Sequence, residues 1–254
     1  MTERDPEALY DGQAERWRRR EPSSLSDFTG RPAIFDMLGD LTGARVIDLG
    51  CGEGYCTREC ARRGAIDVLG IEISAAMVDR AREAEAELRQ GIVYQQGDVR
   101  ALDAADGAFD LATAVFVFNY LTLAETRTAL REIHRVLAPG GRLVFSIPHP
   151  SFPFIQRERG QQPPFWFDFG DEGYFSARDV RAPGRIHRRD GQALEVQMVH
   201  KTLEDLFAAL RDAGFATLPR LKEMSVLPEH LELDRAFFEP VADLPLHMGV
   251  EISK

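Results

Sequence analysis

Three carboxylates behind short β-like runs carry the chemistry available to this sequence. Asp48 lies within Val46-Ile47-Asp48-Leu49-Gly50-Cys51-Gly52-Glu53-Gly54, Glu72 closes the run 68–72, and Asp98 follows Gly97 after the run 92–96. A carboxylate at Glu72, twenty residues beyond Gly52, can accept hydrogen bonds from both hydroxyls of a ribose. One at Asp98 can accept from an exocyclic amine such as that of adenine. Asp48 can attract a ligand ammonium, directly or through water. Alternate glycines at 50, 52 and 54 leave the main chain bare for close approach of a ligand. Singly, each acid reads more readily as a surface group or a helix cap than as a ligand contact. On three successive strand ends they point to a nucleotide-like cofactor at the carboxyl edge of a sheet.

The glycine spacing separates two cofactor classes. A dinucleotide fingerprint needs glycine three residues after its second glycine. Position 55 is Tyr, and Gly54 comes one residue too soon. The turn that cradles a pyrophosphate is therefore not reproduced. Cys51, Cys56 and Cys60 share one ten-residue window without metal-ligand spacing, so they read as reduced, small, buried side chains. No histidine cluster has such spacing either, and no metal is expected.

The elements that must position these groups alternate along the chain. Strands are predicted at 46–49, 68–72, 92–96, 109–117 and 142–147, with helices between them. Ser74 caps a helix with Met77, Ala81, Ala84 and Leu88 on one face. Another helix covers 124–137, stopped by Pro139-Gly140-Gly141. Such alternation gives a parallel sheet with helices on both faces. Ahead of it, 7–20 reads as a polar helix carrying Tyr10 and Trp17, and 32–41 as a second helix ended by Gly43. The rhythm breaks at Pro148. Asp190-Gly191 then predicts a hairpin between 185–189 and 192–199. A helix resumes at Leu203, Leu206, Phe207 and Leu210, with strands at 215–221 and 248–253.

Composition bounds the function. With 254 residues, 44% of them hydrophobic, and no Ser/Gly/Pro-rich linker, the chain reads as one domain with an insertion. A net charge of −10 argues against nucleic acid and anionic membranes as partners. Arg16 and Arg18 to Arg20 read as a solvated helix face. No apolar run reaches the ~20 residues of a membrane span. The first six residues lack the apolar core of a signal peptide, so a cytoplasmic location is expected.

Taken together, residues 46–54, 70–74, 97–102, 109–121 and 136–146 resemble a class I S-adenosylmethionine-dependent methyltransferase, closest to small-molecule enzymes of the ubiquinone/menaquinone-biosynthesis-like group. The resemblance implies an α/β, Rossmann-like seven-stranded sheet. It would be mostly parallel with an antiparallel last strand, helices on both faces and an inserted lid. The single domain 1–254 would comprise N-terminal helices (1–43), a cofactor-binding core (44–147), an acceptor-binding lid with a β-hairpin (148–201), and a final helix and two strands (202–254). Asp48 and the main chain at Gly50 and Cys51, with Gly52 in the same turn, would hold the methionine part of the cofactor. Glu72 would take the ribose hydroxyls, Ile73 and Met77 would pack on adenine, and Asp98 with the Val99 amide would address its edge. Ala114 and Val115 would lie under the sulfonium. Tyr10 matches an N-terminal tyrosine that closes over the cofactor in such enzymes, and Asn119 stands where relatives often carry histidine.

The expected reaction moves a methyl group to O, N or C of a small aromatic or apolar acceptor and releases S-adenosylhomocysteine. Partners reduce to that acceptor, with the chain acting as monomer or homodimer. After Pro148 come Phe152, Phe154, Trp166 and Tyr174, which either line the acceptor or fill a satellite core beneath a lid. His149 is either a base or acceptor-orienting group, or a structural histidine between two proline turns. Tyr174 and His187 are further candidates. Two other readings remain open: a nicotinamide-dependent dehydrogenase, which would bind NAD(P) instead, and a non-catalytic cofactor-binding protein.

Overall fold

The structure is a computed structural model and describes residues 6–17, 22–156 and 164–254. The basic run at 18–20 and the first five residues lie outside the described residues, as do 157–163 of the expected lid. Five strands build the parallel part of the main sheet: β1 (Arg45–Leu49), β2 (Asp67–Glu72), β3 (Val93–Gln96), β4 (Phe109–Val115) and β5 (Leu137–Pro148). A separate three-stranded antiparallel sheet holds β6 (Phe165–Phe167), β7 (Arg181–His187) and β8 (Ala193–Val199). Finally β9 (Arg220–Met224) and β10 (His247–Ser253) return to the main sheet, whose order is β3-β2-β1-β4-β5-β10-β9. β10 runs antiparallel to both neighbours. The strand order reverses between β1 and β4, where ligands of open α/β sheets collect.

Helices are α1 (Pro6–Asp11), α2 (Leu25–Thr29), α3 (Arg31–Leu38), α4 (Tyr55–Arg62), α5 (Ala75–Leu88), α6 (Leu123–Val136), α7 (Phe152–Gln156), α8 (Leu203–Asp212) and α9 (Pro228–Phe238). Ser74 caps α5 by accepting from the Met77 amide, as its position predicts. Ile47, Leu49, Ala112, Leu143 and Phe145 from the central strands meet Leu130, Ile133 and Leu206 of α6 and α8 in the principal core. Strands buried on both faces explain the almost wholly apolar run of β4.

Several boundaries differ from expectation, each for a local reason. Pro139-Gly140-Gly141 does not stop α6 before a separate strand. β5 already pairs at Leu137, and the residues between Leu137 and Arg142 bulge from the ladder. The strand expected at 215–221 is displaced to β9, because Phe215 is drawn into the core and packs against His134, with ring centroids 5.1 Å apart. The polar helix expected over 7–20 is only α1 plus a 3-10 turn at Ala14–Trp17, and the helix expected over 32–41 ends at Leu38. Neither α2 nor α9 shows in the sequence pattern.

The three-stranded sheet and the N-terminal segment form one roof. The Gln13 side chain brackets the Glu195 backbone, donating to its carbonyl at 3.1 Å and accepting from its amide at 3.0 Å. Arg189 N donates to Ser23 O. Lys201, at the foot of β8, ties this roof to the chain beyond β4. Its buried ammonium donates to the carbonyls of Phe118 (2.9 Å), Val199 (3.2 Å) and Leu121. Lys201→Met keeps the stem and removes three buried hydrogen bonds, so we expect a loss of roughly 3 kcal/mol of stability. In scanning calorimetry that is a fall in Tm of about 6–12 °C, and a shift below about 2 °C would contradict the anchor.

Candidate active site

A cavity of about 490 Å³ opens at the carboxyl ends of β1, β2 and β4, beneath the roof. Local sequence explains its floor. Asp48 near the end of β1 is 1% exposed and accepts from Thr57 Oγ1 of α4 at 2.6 Å. Its pKa is pushed up to about 7, chiefly by burial and further by the Glu72 charge, against the Thr57 hydrogen bond and Arg31. Glu72 ends β2, and its two oxygens accept from the Gly52 and Ser74 amides, each at 3.0 Å. Burial nevertheless raises its pKa. The carboxylate thereby ties the glycine turn to the start of α5. Gly50 has φ +62°, and a Cβ there would stand 2.6 Å from Val117 Cγ2, so the turn admits only glycine at this point.

Asp98 is engaged differently. Arg100 grips both its oxygens, with Nε–Oδ1 2.9 Å and Nη2–Oδ2 2.6 Å, and also reaches Glu125 on α6. Burial works against its ionised form, yet the Arg100 hydrogen bonds outweigh it and hold the carboxyl below its usual range.

Of the expected cofactor residues, Asp48, Gly50, Cys51 and Gly52 line the cavity from the first turn. Glu72, Ile73 and Met77 line it from the second, Asp98 and Val99 from the third, and Val115 from the end of β4. Tyr10 reaches it from α1 and donates to the Tyr120 hydroxyl at 2.6 Å. Ala114 does not line it; the side chain is fully buried in the principal core, because neighbours on a strand face opposite ways.

The acceptor and catalytic candidates divide less favourably. Asn119 lines the cavity, and its buried Oδ1 has no partner among the described residues. His149 does not line it. Its Nε2 meets Glu223 on β9 at 3.1 Å and its Nδ1 accepts from Ser151 N, so the ring serves the chain turn after β5. Tyr174 packs against Phe154 and His200, and its hydroxyl accepts from Leu203 N, away from the cavity wall. Phe152 and Phe154 lie beneath the roof in an aromatic cluster, Phe152 stacked on Phe165 at 5.0 Å. On β6 the alternation of side chains sends Phe165 and Phe167 to the cavity and Trp166 elsewhere. His187, at the end of β7, is not on the wall either.

Residues without a sequence signal complete the site. Arg31 opens α3, is buried, and donates from Nη1 to Asp27 (2.8 Å) and Ser26 (2.6 Å), while its buried Nε has no partner among the described residues. Its guanidinium sits 5.5 Å from the centre of the Phe116 ring. Phe116 follows β4 with φ +61°, a left-handed conformation that costs on the order of 1 kcal/mol or more. Strain of that kind persists where its surroundings enforce it, here through Phe116 N donating to Ser146 O. His247, at the start of β10, is 1% exposed, lines the cavity, and has its pKa pushed down to about 3 by burial, then by Arg31 and His149. Trp17, Leu25, Arg181, Ile186 and Val196 supply most of the remaining roof.

Comparison with known proteins decides the family. The methyltransferase domain family matches residues 46–141. A demethylmenaquinone methyltransferase of Lactococcus lactis is 33% identical over 192 residues, covering 74% of this chain and 72% of that one. This chain belongs to the class I S-adenosylmethionine-dependent methyltransferases. Against a ubiquinone biosynthesis O-methyltransferase of Alkalilimnicola ehrlichii, also 33% identical, it spans 57% of that protein's length, and other curated relatives are likewise covered over about half their length. An S-adenosylmethionine dependent methyltransferase from Mesorhizobium loti shares the fold with a TM-score of 0.66, at 27% identity over 88% of this chain and 96% of that one.

The cofactor of this methyltransferase is S-adenosylmethionine, and the site suits it. A buried guanidinium whose Nε has no partner among the described residues suits a carboxylate, and a buried Asp48 shifted toward neutrality gains its charge beside an ammonium. The dehydrogenase alternative falls with the family match. Among the described residues no group of three or more His, Cys, Asp or Glu could hold a metal ion, and no helix is long and apolar enough to cross a membrane. All three cysteines are free and buried.

Proposed function

We propose that this methyltransferase acts on O, N or C of a small aromatic or apolar metabolite bound under the roof. The observation that carries the reading is the continuity of one cavity, acidic at the strand ends and aromatic above, where Trp17, Phe116, Tyr120, Phe165 and Phe167 face it. Aromatic walls suit a flat acceptor and also favour positive charge near their faces. Relatives named for demethylmenaquinone and for ubiquinone biosynthesis support an acceptor of that shape.

Within the site, Glu72 takes the ribose hydroxyls and Ile73 with Met77 packs on the adenine. Asp98 and the Val99 amide address its edge, Asp98 through the oxygen capacity that Arg100 leaves. Asp48 and the main chain at Gly50 and Cys51 hold the amino-acid part, with Arg31 on its carboxylate. When bound, S-adenosylmethionine supplies a sulfonium-activated methyl group. The protein's own residues then align the nucleophile and exclude water, which can supply much of the acceleration. Tyr10 and Tyr120 close the cavity on the α1 side. The chain works as one domain with residues 148–201 as its lid, in the cytoplasm, as monomer or homodimer and without nucleic acid.

Two measurements test this. A screen of phenols, aromatic amines and activated carbon acids with methyl-labelled S-adenosylmethionine should yield a labelled product, and label in none of them, despite cofactor binding, sinks the acceptor class. Arg31→Met should weaken S-adenosylhomocysteine about 10- to 100-fold in calorimetry, the loss of a charge-assisted bond, while 5′-methylthioadenosine, which has no carboxylate, keeps its affinity. Equal losses for both ligands would remove Arg31 from that role.

A further inference from the structure

We propose that Phe116 is a specificity-determining residue, its ring forming the wall against which the flat, uncharged ring of the methyl acceptor packs beside the reaction point. The inference deepens the methyl-transfer reading above and rests on it.

The backbone delivers that ring against the habit of a strand. β4 ends at Val115, and side chains along a strand face opposite ways, so the residue after Val115 should follow Ala114 into the principal core. Instead Val115, Phe116 and Val117 all line the cavity. The left-handed conformation of Phe116, φ +61°, turns the chain between its neighbours and makes this possible. Phe116 N donates to Ser146 O on β5 at 2.9 Å, and Val117 packs where Gly50 has no Cβ, so the turn is held from both sides. Among the described residues, the other non-glycine positions of positive φ are Arg89, Asp179 and Asp243. Arg89 ends α5, and aspartate tolerates this region through its short polar side chain. None of those three lines the cavity. An aromatic residue kept in a strained conformation at the wall of a site points to a function for its ring.

Phe116 is partly exposed, so it offers surface to the cavity it lines. The Arg31 guanidinium covers the ring at 5.5 Å from its centre, and His247 meets it at 5.1 Å with the planes 69° apart. Gly30, between α2 and α3, leaves room on that side, since a Cβ there would stand 3.3 Å from Phe116 Cζ. Rings continue from His247 to Phe165 at 5.6 Å and from Phe165 to Phe167 at 5.1 Å, centre to centre. All four residues line the cavity. Burial, then Arg31 and His149, drive the His247 pKa down to about 3, so at neutral pH the imidazole is one more uncharged ring in the row.

The row leads from the end of β4 toward β10 and β6, on the far side of the reversal between β1 and β4 from Glu72 and Asp98. With the adenosine at those two acids, the row is left to the acceptor, and Phe116 stands where the two halves of the cavity meet. Rings favour offset or edge-to-face partners at such separations, which suits a flat acceptor. Arg31 behind Phe116 repels an ammonium there. The acceptor class narrows accordingly to uncharged aromatic rings that carry the nucleophile, and excludes alkylammonium compounds.

The test uses 2-naphthol as the probe, with the chain bound to S-adenosylhomocysteine so that no transfer intervenes. In the ¹³C-phenylalanine-labelled protein, 2-naphthol protons should give intermolecular nuclear Overhauser effects to the Phe116 ring. Phe116→Ala removes the ring and keeps the left-handed demand, whereas Phe116→Gly removes both. Each should weaken 2-naphthol at least about tenfold, the loss of one ring contact with its buried area. S-adenosylhomocysteine affinity should stay within about threefold, as for a residue without contact to that ligand. The glycine variant should melt about 2–4 °C above the alanine variant, because only glycine is at ease in this conformation. Overhauser contacts to Phe165 or Phe167 without Phe116, 2-naphthol binding within about threefold of the parent in both variants, or equal losses for both ligands overturn the proposal. An alanine variant that melts above the glycine variant removes the left-handed turn on which it stands. Where neither variant folds, the Overhauser contacts of the parent decide. A parent that methylates nothing in the screen while 2-naphthol still touches Phe116 defeats the methyl-transfer reading. One that methylates phenols without that contact defeats this inference alone.

Discussion

Glu72→Ala weakens S-adenosylhomocysteine binding by at least about a hundredfold, because two charge-assisted hydrogen bonds to the ribose, each roughly 1.5–3 kcal/mol, disappear together. The damage extends beyond the ligand. The Gly52 and Ser74 amides now given to Glu72 lose their acceptor, so the glycine turn loses its tie to α5. Glu72→Gln should fare little better: both oxygens face amide donors, and the amide nitrogen of glutamine would oppose one of them. His149→Ala is the informative control, since its ring contacts Glu223 and Ser151 and does not line the cavity. Isothermal calorimetry should find its affinity within about threefold of the parent, the range expected of a residue without ligand contact. The reverse order of effects would dismantle the placement of the cofactor.

Asp48→Asn should raise stability and lower affinity at once. The carboxyl titrates near 7 in the folded chain against 3.8 as its ordinary value, mainly because burial disfavours its charge. A folded pKa above the unfolded one contributes stability at low pH and loses it as pH rises through the window from about 4 to 7. Between pH 5 and pH 8 the parent therefore loses roughly 2 kcal/mol that the asparagine variant keeps. The variant's advantage in Tm should be about 4–8 °C larger at pH 8 than at pH 5. Binding should move the other way, about 10- to 100-fold weaker for S-adenosylmethionine, as the partner for its ammonium is gone. A Tm advantage that does not grow with pH would show that Asp48 is not held against its charge. Such an exchange of stability for binding is usual where a buried charge waits for a ligand.

How much of this site the sequence disclosed depends on the range over which each residue acts. Asp48, Glu72 and Asp98 were readable because each follows its own strand within a few residues, and strand, turn and helix start are local matters of periodicity and glycine geometry. The same holds for the Asp190-Gly191 hairpin, whose arms form as β7 and β8. The aromatic run after Pro148 was recognisable as a group, yet which of its members face the cavity was not. Phe165 and Phe167 face it and Trp166 does not, and the choice depends on the register of β6 against β7. β9 eluded the pattern because the apolar Phe215 marked a core position, while the exposed residues that follow carry little periodicity.

The amino acids alone determined that Asp48, Glu72 and Asp98 stand at one edge of the sheet, where they line the cavity, since local hydrogen bonding and turn chemistry place a carboxylate at each strand end. Only the tertiary structure brought Arg31, Phe116 and His247 together, from α3, the turn after β4 and the antiparallel β10. Their positions are 216 residues apart at the extremes, from 31 to 247. Chain segments so distant meet through sheet order and packing, which no short window of sequence records.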